Sequence, residues 1–312
     1  MSGPGTIAYF GPPGTFTEEA LLAQGELAEA ELLPLPSIAE VLRATNEGRV
    51  EAGFVPIENS IEGTVNATID GLVFDLDLLI HQEAVLDIHL NLLAPPGTGL
   101  GDVARVLSFP HATAQCQGYL SRVLPGAEVV AANSTADAAR QLGAERPAGT
   151  AALSPLLAAK LYDLEVLAEA VEDHPDNQTR FVLLGRSGVP SPTGHDRTSI
   201  VCFQHADRPG NLHAILGQFA ARDINLTKLE SRPTKAGLGQ YCFIIDLEGH
   251  IADEVVADCL RDLHARLAGV KFLGSYPAAG DGGQVRRQAA QVAWAGADAW
   301  LAGLRAQVGR VP

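Results

Sequence analysis

Hydroxyl and amide side chains recur in loops of the N-terminal half of the chain, where each loop precedes a helical pattern. Four such loops span residues 14–17, 58–64, 108–115 and 133–135, and a fifth candidate, residues 177–181, precedes a short apolar run. Helix N-termini that offer free amides and hydroxyl groups bind carboxylates well. The loops therefore indicate a carboxylate site, although ordinary helix caps and turns use the same residue types.

Motifs of phosphate, dinucleotide and metal sites do not occur in the sequence. The glycine turn at residues 11–14 lacks the Gly-Lys-Ser/Thr of a Walker A loop and the spacing of a dinucleotide loop. The cysteines show no metal-ligand spacing, so we expect buried thiols in a reducing compartment. They are Cys116, Cys202, Cys242 and Cys259. We predict neither a metal nor a cofactor.

Composition and charge exclude several classes of protein. The 312 residues carry 22 Lys+Arg against 37 Asp+Glu, a formal net charge of −15, and 46% of them are hydrophobic. The apolar content excludes general disorder, and the acidic balance speaks against a nucleic-acid partner. No stretch approaches the ~18 apolar residues of a membrane span, and the first residues do not resemble a signal peptide. We therefore expect a cytoplasmic protein without a membrane partner.

Strand-like runs and helical patterns alternate through the first part of the chain. The runs are residues 6–10, 52–55, 103–107, 128–131 and 150–153. This alternation predicts a mostly parallel sheet with helices on both faces. Ligands bind beyond the carboxyl ends of such strands, where the polar loops lie. The long apolar run 84–93 indicates a crossing between two lobes.

Glycine, proline and charge divide the chain into segments. Residues 1–190 hold 9 basic and 25 acidic side chains, a net charge of −16, whereas the rest is nearly neutral. Gly- and Pro-rich stretches mark the boundaries. We predict a first domain at residues 1–187, a linker at 188–196, a second domain at 197–277 and an Ala-rich helical tail at 278–312. The tail either docks by one apolar stripe or is a loose extension; the stripe is Val285, Ala289, Val292, Trp300, Leu304 and Val308.

The second domain shows the order βαββαβ. Strand-like runs at residues 198–203, 224–231, 240–247 and 270–276 are interrupted by two helical patterns, near residues 211–219 and 255–267. That order predicts a ferredoxin-like sheet with two helices on one face. Its edges favour pairing with a second copy, and no nucleophile–base pair occurs in it. We expect this domain to bind a ligand.

Several segments resemble the signature loops of the prephenate dehydratase family. They are Gly11-Pro12-Pro13-Gly14-Thr15-Phe16-Thr17-Glu18, Val55-Pro56-Ile57-Glu58-Asn59-Ser60, Gly63-Thr64-Val65 and Thr179-Arg180-Phe181. Residues 197–276 resemble the ACT regulatory domain of this family, with Leu229-Glu230-Ser231-Arg232-Pro233 as its marker. The resemblance covers residues 5–277. It implies an α/β fold in which a two-lobed, type II periplasmic-binding-protein-like catalytic domain precedes a ferredoxin-like ACT domain.

The resemblance implies a carbon–oxygen lyase of phenylalanine biosynthesis that needs no cofactor. Its substrate would be prephenate, bound between the lobes and converted to phenylpyruvate, water and carbon dioxide. The implied catalytic residues are Thr179, Arg180, Phe181 and Glu58. The implied substrate-binding residues are Thr15, Asn59, Ser60, Thr64, Ser108, Gln115 and Ser134.

Each implied catalytic role has an alternative. Thr179 is expected to donate a hydrogen bond to the leaving hydroxyl or to relay a proton, with Glu58 as the rival proton donor. Glu58 could instead form a structural hydrogen bond to loop amides. Arg180 would hold a carboxylate with its planar guanidinium. Its alternative is a surface ion pair with Glu172 or Asp173.

The ACT resemblance implies L-phenylalanine as a feedback effector and a homodimer or homotetramer assembled through ACT domains. The effector-binding residues would be Pro209, Gly210, Asn211, Leu212, Asn225, Leu226, Glu230 and Ser231. Paired domains would bring these loops to an interface between two copies. Alternatively, the ACT domain only holds subunits together.

Two motifs depart from the family pattern. The chain has Ser108-Phe109-Pro110-His111 where the family commonly has Ser-His-Pro-Gln. It has Gly210-Asn211-Leu212-His213 where the effector motif is usually Gly-Ala-Leu-Val. Two other functions stay open: an arogenate dehydratase, whose substrate carries an amine in place of the keto group, and an amino-acid sensor without catalysis.

Overall fold

The first lobe alternates strands and helices, as the sequence predicts. The computed structural model describes residues 5–235, 237, 239–280, 296–297 and 299–308. The strands and helices of the first lobe are β1 (Thr6–Phe10), α1 (Phe16–Leu22), β2 (Glu31–Leu35), α2 (Ile38–Asn46), β3 (Ala52–Asn59), β4 (Gly63–Thr64), α3 (Asn66–Asp70) and β5 (Leu79–Asp87). A 3-10 turn at Gly25–Glu29 and a π-type turn at Gly71–Asp75 connect some of them.

The second lobe follows in the chain after the predicted crossing, which lies between Asp87 and Asn91. Its elements are β6 (Asn91–Ala94), β7 (Arg105–Ser108), α4 (Pro110–Gln115), α5 (Gln117–Val123), β8 (Glu128–Ala131), α6 (Thr135–Glu145), β9 (Thr150–Ser154), α7 (Leu156–Leu161) and β10 (Glu165–Ala168). A 3-10 turn at Leu100–Asp102 precedes β7. The chain then returns to the first sheet as β11 (Gln178–Gly185).

The two sheets share one strand order. The first runs β2-β1-β3-β11-β5, with β4 paired to β3, and the second runs β8-β7-β9-β6-β10. In each sheet, three parallel strands are followed by one antiparallel strand that comes from a more distant part of the chain. This strand is β11 beside β3 in the first sheet and β6 beside β9 in the second. This architecture confirms the predicted two-lobed α/β fold, in which the two crossings of the chain connect the lobes.

Polar residues set where several helices begin. The side chains of Thr15, Ser37 and Ser134 accept hydrogen bonds from the backbone N–H three residues ahead, at the starts of α1, α2 and α6. These caps satisfy donors that the helix itself leaves unpaired. The central strands β9 and β11 are almost wholly buried, which explains the apolar runs within them, residues 151–153 and 181–184.

The C-terminal domain has the predicted βαββαβ order. Its elements are β12 (Asp196–Phe203), α8 (Asn211–Ala220), β13 (Leu226–Pro233), β14 (Tyr241–Glu248), α9 (Glu254–Arg266) and β15 (Gly269–Pro277). The antiparallel sheet runs β13-β14-β12-β15. Ile215 and Phe219 of α8 pack with Cys259 and Leu263 of α9 in one buried cluster beneath the sheet. β13 is an edge strand, and its residues alternate between half-buried and exposed.

The described chain divides into two units, and the second is discontinuous. The first comprises Met1–Asp77 and Ala84–Arg186, and the second comprises Leu78–Glu83 and Ser187–Pro312. The predicted domain boundaries stay a prediction. They do not include the grouping of Leu78–Glu83 with the C-terminal residues. Two contacts explain that grouping. Glu83, whose side chain is 1% exposed, pairs with Arg197 at 2.5 Å, and a Cβ at Gly274 would lie only 2.5 Å from the Ile80 carbonyl oxygen.

All four cysteines are buried and form no disulfide, as predicted. Burial raises the pKa of the Cys116 and Cys202 thiols to about 12 and that of Cys259 to about 11. A thiol must ionise before it acts as a nucleophile or metal ligand, so these cysteines have packing roles.

The predicted tail is described in part, at residues 278–280, 296–297 and 299–308. Residues 299–305 are helical, and Trp300 and Val308 are 67% and 82% exposed. The other half of the predicted stripe, Val285, Ala289 and Val292, lies outside the described residues. None of the helices that the structure describes is long and apolar enough to cross a bilayer.

Candidate active site

Pairing between β11 and β3 places the implied catalytic residues side by side. Thr179 lies opposite Asn59 and Arg180 opposite Glu58 in the register of the two strands. Nδ2 of Asn59 donates a hydrogen bond of 2.9 Å to Oγ1 of Thr179, which is only 8% exposed. An amide and a hydroxyl separated by 120 residues in sequence are thus in direct contact.

Arg180 is buried and contacts Glu58. Its Nη1 lies 3.6 Å from Oε2 of Glu58, and the residue is 9% exposed. The proposed surface ion pair of Arg180 with Glu172 or Asp173 is therefore wrong. Glu172 instead contacts His89 and the backbone N–H of Leu90, and Asp173 accepts from backbone N–H groups at the start of α5.

The third residue of the triplet is a core residue of the first lobe. Phe181 is 2% exposed and stacks on Phe54 of β3 with ring centroids 5.6 Å apart and an interplanar angle of 9°. Stacked aromatic pairs of this kind add roughly 0.5–1.5 kcal/mol beyond the area they bury. Phe181 therefore anchors the strand segment that carries Thr179 and Arg180.

The amide of Asn59 has one possible orientation. Its Oδ1 accepts from the backbone N–H groups of Ile61 at 2.9 Å and Glu62 at 3.0 Å. Its Nδ2 therefore faces the other way, where it donates to Oγ1 of Thr179 and to Oδ1 of Asn177 at 2.8 Å. A flipped amide would place its NH₂ group against two donors, so this orientation is fixed by the backbone.

Ser60 ties the β3–β4 turn to the start of β11. Its hydroxyl donates to Oδ1 of Asn177 at 3.3 Å and accepts from the backbone N–H of Gln178 at 2.9 Å. Thr64 lies on β4 opposite Glu58, so its side chain lies on the same side of the sheet as that of Glu58. Asn59, Ser60, Thr64, Glu58, Thr179 and Arg180 are thus brought together by three paired strands.

Gln115 joins this cluster from the second lobe. Its Oε1 accepts from Nδ2 of Asn177 at 3.2 Å, and its Nε2 donates to Oε1 of Glu62 at 3.2 Å. Nδ1 of His111, on the same helix α4, also contacts Oε1 of Glu62 at 2.9 Å. The polar cluster therefore spans both lobes.

Thr15 stands at a second contact between the lobes. It caps α1, and its hydroxyl donates to the Phe10 carbonyl at 3.3 Å. Close by, the hydroxyl of Tyr162 from the second lobe donates to the Pro13 carbonyl at 2.6 Å. Gly14 has φ of +87°, and a Cβ there would lie 3.1 Å from the Tyr162 ring, so glycine fits both the turn and the contact.

Two implied substrate-binding residues are occupied by backbone contacts. The Ser108 hydroxyl is fully buried and donates to the Leu153 carbonyl at 2.9 Å. Ser134 caps α6 by accepting from the backbone N–H of Asp137 at 3.0 Å. Asp137 is itself held by Arg140, Gln141 and Asn133, and the hydrogen bonds and charge of these neighbours lower its pKa against the effect of burial. These contacts fit the cap and turn roles that the sequence left open.

The sequence interpretation missed two residues of the cluster, Asn177 and Glu62. Asn177 lies in the segment singled out from the sequence, yet a polar residue just before a strand is typical of a turn. Glu62 contacts Gln115 across 53 positions, a separation that local patterns do not report. The structure also gives His111 a partner, although its ring replaces the glutamine expected there.

The implied effector residues fall at two ends of the C-terminal sheet. Gly210, Asn211 and Leu212 line a cavity of 380 Å³ at the start of α8. Leu226 pairs with Leu247, at the opposite end of β14 from Cys242, which pairs with the end of β12 at Phe203. One copy of the chain therefore does not bring Asn225 and Leu226 to the cavity, and the predicted interface site would need a second copy.

Asn211 explains how the chain accommodates its departure from the usual effector motif. Its Nδ2 donates to Oε1 of Gln204 and to the Ala206 carbonyl, both at 2.7 Å. The side chain therefore fixes the loop that lines the cavity.

Within the described ranges, no group of three or more His, Cys, Asp or Glu side chains is placed to hold a metal ion.

Two family models match the chain, one over each domain. Residues 7–189 match the family model described as prephenate dehydratase, and residues 198–265 match that of the ACT domain. The chain belongs to the prephenate dehydratase family. The residues that carried the resemblance lie within these two matched ranges.

Curated relatives cover nearly the same length. A prephenate dehydratase of Mycolicibacterium vanbaalenii is 45% identical over 285 residues, covering 87% of this chain and 90% of the relative. One of Mycobacterium marinum is 44% identical over 283 residues, covering 87% and 88%.

Solved structures give the same fold. A prephenate dehydratase from Arthrobacter aurescens in complex with L-Phe is 41% identical, with a TM-score of 0.86 over 96% of this chain and 99% of that one. GqqA, a quorum quenching acylase, is 30% identical with a TM-score of 0.79, covering 88% of this chain and 98% of that one. The shared fold is thus compatible with a second activity in a more distant relative.

Proposed function

We propose that this family member converts prephenate to phenylpyruvate, carbon dioxide and water, and is thus a carbon–oxygen lyase. The observation that carries the proposal is the pairing of Thr179 and Arg180 with Asn59 and Glu58 on two adjacent strands. This arrangement puts a hydroxyl donor and a guanidinium within one small, largely buried region. Family membership supplies the substrate class.

The reaction needs a hydrogen-bond donor and a carboxylate site, and it requires no external electron acceptor. Prephenate is a cyclohexadiene with two carboxylates and a hydroxyl at the far end of the ring. When the ring carboxylate leaves as carbon dioxide, its bonding electrons enter the ring, and the carbon–oxygen bond to the hydroxyl breaks. The departing hydroxide takes up a proton and becomes water. The ring becomes aromatic, which makes the overall change favourable.

Thr179 supplies the donor in this proposal. Its Oγ1 accepts from Asn59, so its own hydrogen is directed to another acceptor, such as the leaving hydroxyl. A threonine hydroxyl is a weak acid and therefore acts as a hydrogen-bond donor in the transition state or relays a proton. Glu58 pairs with Arg180 as a carboxylate, and proton donation from Glu58 would give up that ion pair.

Arg180 and the neutral side chains orient the substrate. The guanidinium binds one carboxylate in a domain that is otherwise strongly acidic, while Phe181 keeps the strand fixed and excludes water. Asn59, Ser60, Thr64 and Gln115 offer neutral hydrogen bonds from the same cluster. Thr15, Ser108 and Ser134 support the substrate loops through the caps and backbone contacts described above.

A direct assay tests the function. Purified protein is incubated with prephenate, and phenylpyruvate is followed by its absorbance at alkaline pH. Formation of phenylpyruvate supports the proposal. Arogenate serves as the second substrate, since its dehydration gives phenylalanine, and a preference for it would replace prephenate in the assignment. Binding of prephenate without turnover would favour the amino-acid-sensor reading of the two-lobed domain.

Replacing Arg180 by Lys is expected to raise KM by roughly 10-fold while lowering kcat less, because a point charge replaces a bidentate fork. The lysine keeps the charge that faces Glu58. The control is Arg105→Lys, since Arg105 forms an exposed ion pair with Glu128 on the second lobe. An unchanged KM in Arg180→Lys would remove Arg180 from the substrate site.

We propose that L-phenylalanine binds at an interface of paired ACT domains in a homodimer or homotetramer. The Arthrobacter aurescens relative was solved in complex with L-Phe, which supports this ligand. The cavity beside Gly210 and Leu212 offers backbone groups and an apolar wall, and the exposed edge strand β13 is available for pairing. Asn225 would reach such a cavity from a second copy. Glu230 and Ser231 lie further along β13 and would support the contact.

Asn225→Ala is expected to weaken inhibition by L-phenylalanine severalfold while leaving uninhibited turnover within about twofold of wild type. The side chain now donates to Oε1 of Glu248 at 2.9 Å, an exposed contact whose loss costs little. Arg261→Ala is the control, because Arg261 makes an exposed contact with Asp258 on the same helix, α9. If millimolar L-phenylalanine neither inhibits the wild type nor raises its melting temperature, the regulatory proposal fails.

A further inference from the structure

Asn177 is the most buried member of the polar cluster. It is 1% exposed, although its position at the start of β11 is typical of a turn residue. Every polar atom of its side chain has a partner: Oδ1 accepts from Asn59 and Ser60, and Nδ2 donates to Gln115. A buried amide whose oxygen and nitrogen both have partners helps to hold its neighbours in one geometry.

The contacts through Asn177 form a series of linked hydrogen bonds in which each amide has a fixed donor side and a fixed acceptor side. Gln115 donates to Glu62, Asn177 donates to Gln115, and Asn59 donates to both Asn177 and Thr179. Each amide presents its oxygen to the previous donor, so reversing any one of them would oppose two like groups. The carboxylate of Glu62, which can only accept, fixes the direction of donation in the whole hydrogen-bond series.

We infer that Asn177 is a positioning residue that keeps the Thr179 hydroxyl ready to donate. The backbone N–H groups of residues 61 and 62 set which way the Asn59 amide faces. Asn177 Oδ1 accepts from Asn59 Nδ2 and so holds that nitrogen against Thr179 Oγ1, which leaves the hydroxyl hydrogen for the substrate. This inference rests on the proposed function, and Asn177 itself need not touch prephenate. Catalysis depends steeply on such placement, since a displacement of ~1 Å can cost roughly 10²-fold in rate.

The same hydrogen-bond series links the Thr179 hydroxyl to both lobes. Asn59, Asn177 and Thr179 belong to the first lobe, whereas Gln115 belongs to α4 of the second. Asn177 therefore loses one of its partners if the lobes move apart. The set of hydrogen bonds around the donor is therefore complete only when α4 is in place.

The test compares Asn177→Ala with Asn91→Ala in the full chain. Asn91 is 4% exposed and also makes three hydrogen bonds, to His89, Ser154 and Ala170, outside the cluster. Both variants are expected to lower the melting temperature to a similar extent. Only Asn177→Ala is expected to lower kcat, by roughly 10- to 100-fold with KM within about threefold of wild type.

A double-mutant cycle separates positioning from loss of stability. In a Thr179→Val background, Asn177→Ala is expected to lower kcat by less than about twofold, because the hydroxyl that it positions is gone. Multiplicative effects would overturn the inference, as would an unchanged kcat in Asn177→Ala alone. If Asn177→Ala does not fold, Asn177→Leu keeps the volume but offers no acceptor to Asn59 Nδ2, and kcat should fall at least fivefold. An unchanged kcat in that variant overturns the inference equally. A wild-type chain that forms no phenylpyruvate would instead reject the proposed function.

Discussion

Thr179→Val is expected to lower turnover by at least ~10²-fold while KM stays within about threefold of wild type. Valine keeps the volume of threonine and removes only the hydroxyl. The fold should tolerate the change, because Asn59 Nδ2 keeps two acceptors, Oδ1 of Asn177 and the Gln178 carbonyl. A loss in kcat without a loss in binding is the signature of an interaction made in the transition state.

The matched control is Thr45→Val in the same lobe. Thr45 is fully buried, and its hydroxyl donates to the Val41 carbonyl within α2 at 2.8 Å, outside the cluster. Its replacement removes a buried hydroxyl of the same kind and should leave turnover within about twofold. If Thr179→Val also stays within a few-fold of wild type, the donor role passes to Glu58.

The largest expected effect on stability comes from Arg197→Ala, at about 3–5 kcal/mol. Arg197 pairs with Glu83, whose side chain is 1% exposed and also accepts from the Ala279 N–H at 2.8 Å. Removing the guanidinium takes a 2.5 Å charged partner away from this buried carboxylate. Thermal or urea unfolding measures the loss.

Two further variants identify the cause of that loss. Arg105→Ala breaks an ion pair whose side chains are 51% and 66% exposed, and it should cost less than ~1 kcal/mol. Adding Glu83→Gln to Arg197→Ala should recover part of the stability, because the buried charge that Arg197 paired with is then removed. If Arg197→Ala costs no more than Arg105→Ala, the buried pair contributes little to the fold.

Local sequence patterns predicted much of the fold but missed several strands, the edge strands β2 and β10 among them. β2 contains Pro34 and is half-exposed along its length, so it lacks the buried apolar run that marked the other strands. β10 has only four residues and pairs with the sheet through an irregular register. Both strands gain their structure from the neighbour they pair with, which local patterns do not contain.

The candidate site was predictable in part, and mainly through the family resemblance. The strand pairing that joins Thr179 to Asn59 follows from the return of β11 to the first sheet, a long-range event. Ser108 and Ser134 showed the expected residue types, yet backbone groups a short distance away occupy their hydroxyls. Residue type alone does not distinguish a hydroxyl that caps a helix from one that meets a ligand.

The discontinuity of the second unit changes where the chain can be divided. Leu78–Glu83 groups with the C-terminal residues, although more than a hundred residues separate it from Ser187. A protease that cuts within residues 188–196 would break the backbone but leave Glu83 paired with Arg197. For the same reason, an ACT domain taken from another family member would carry a surface that fits residues 78–83 of its own chain and not those of the new one. A functional hybrid would have to carry residues 78–83 together with its new ACT domain.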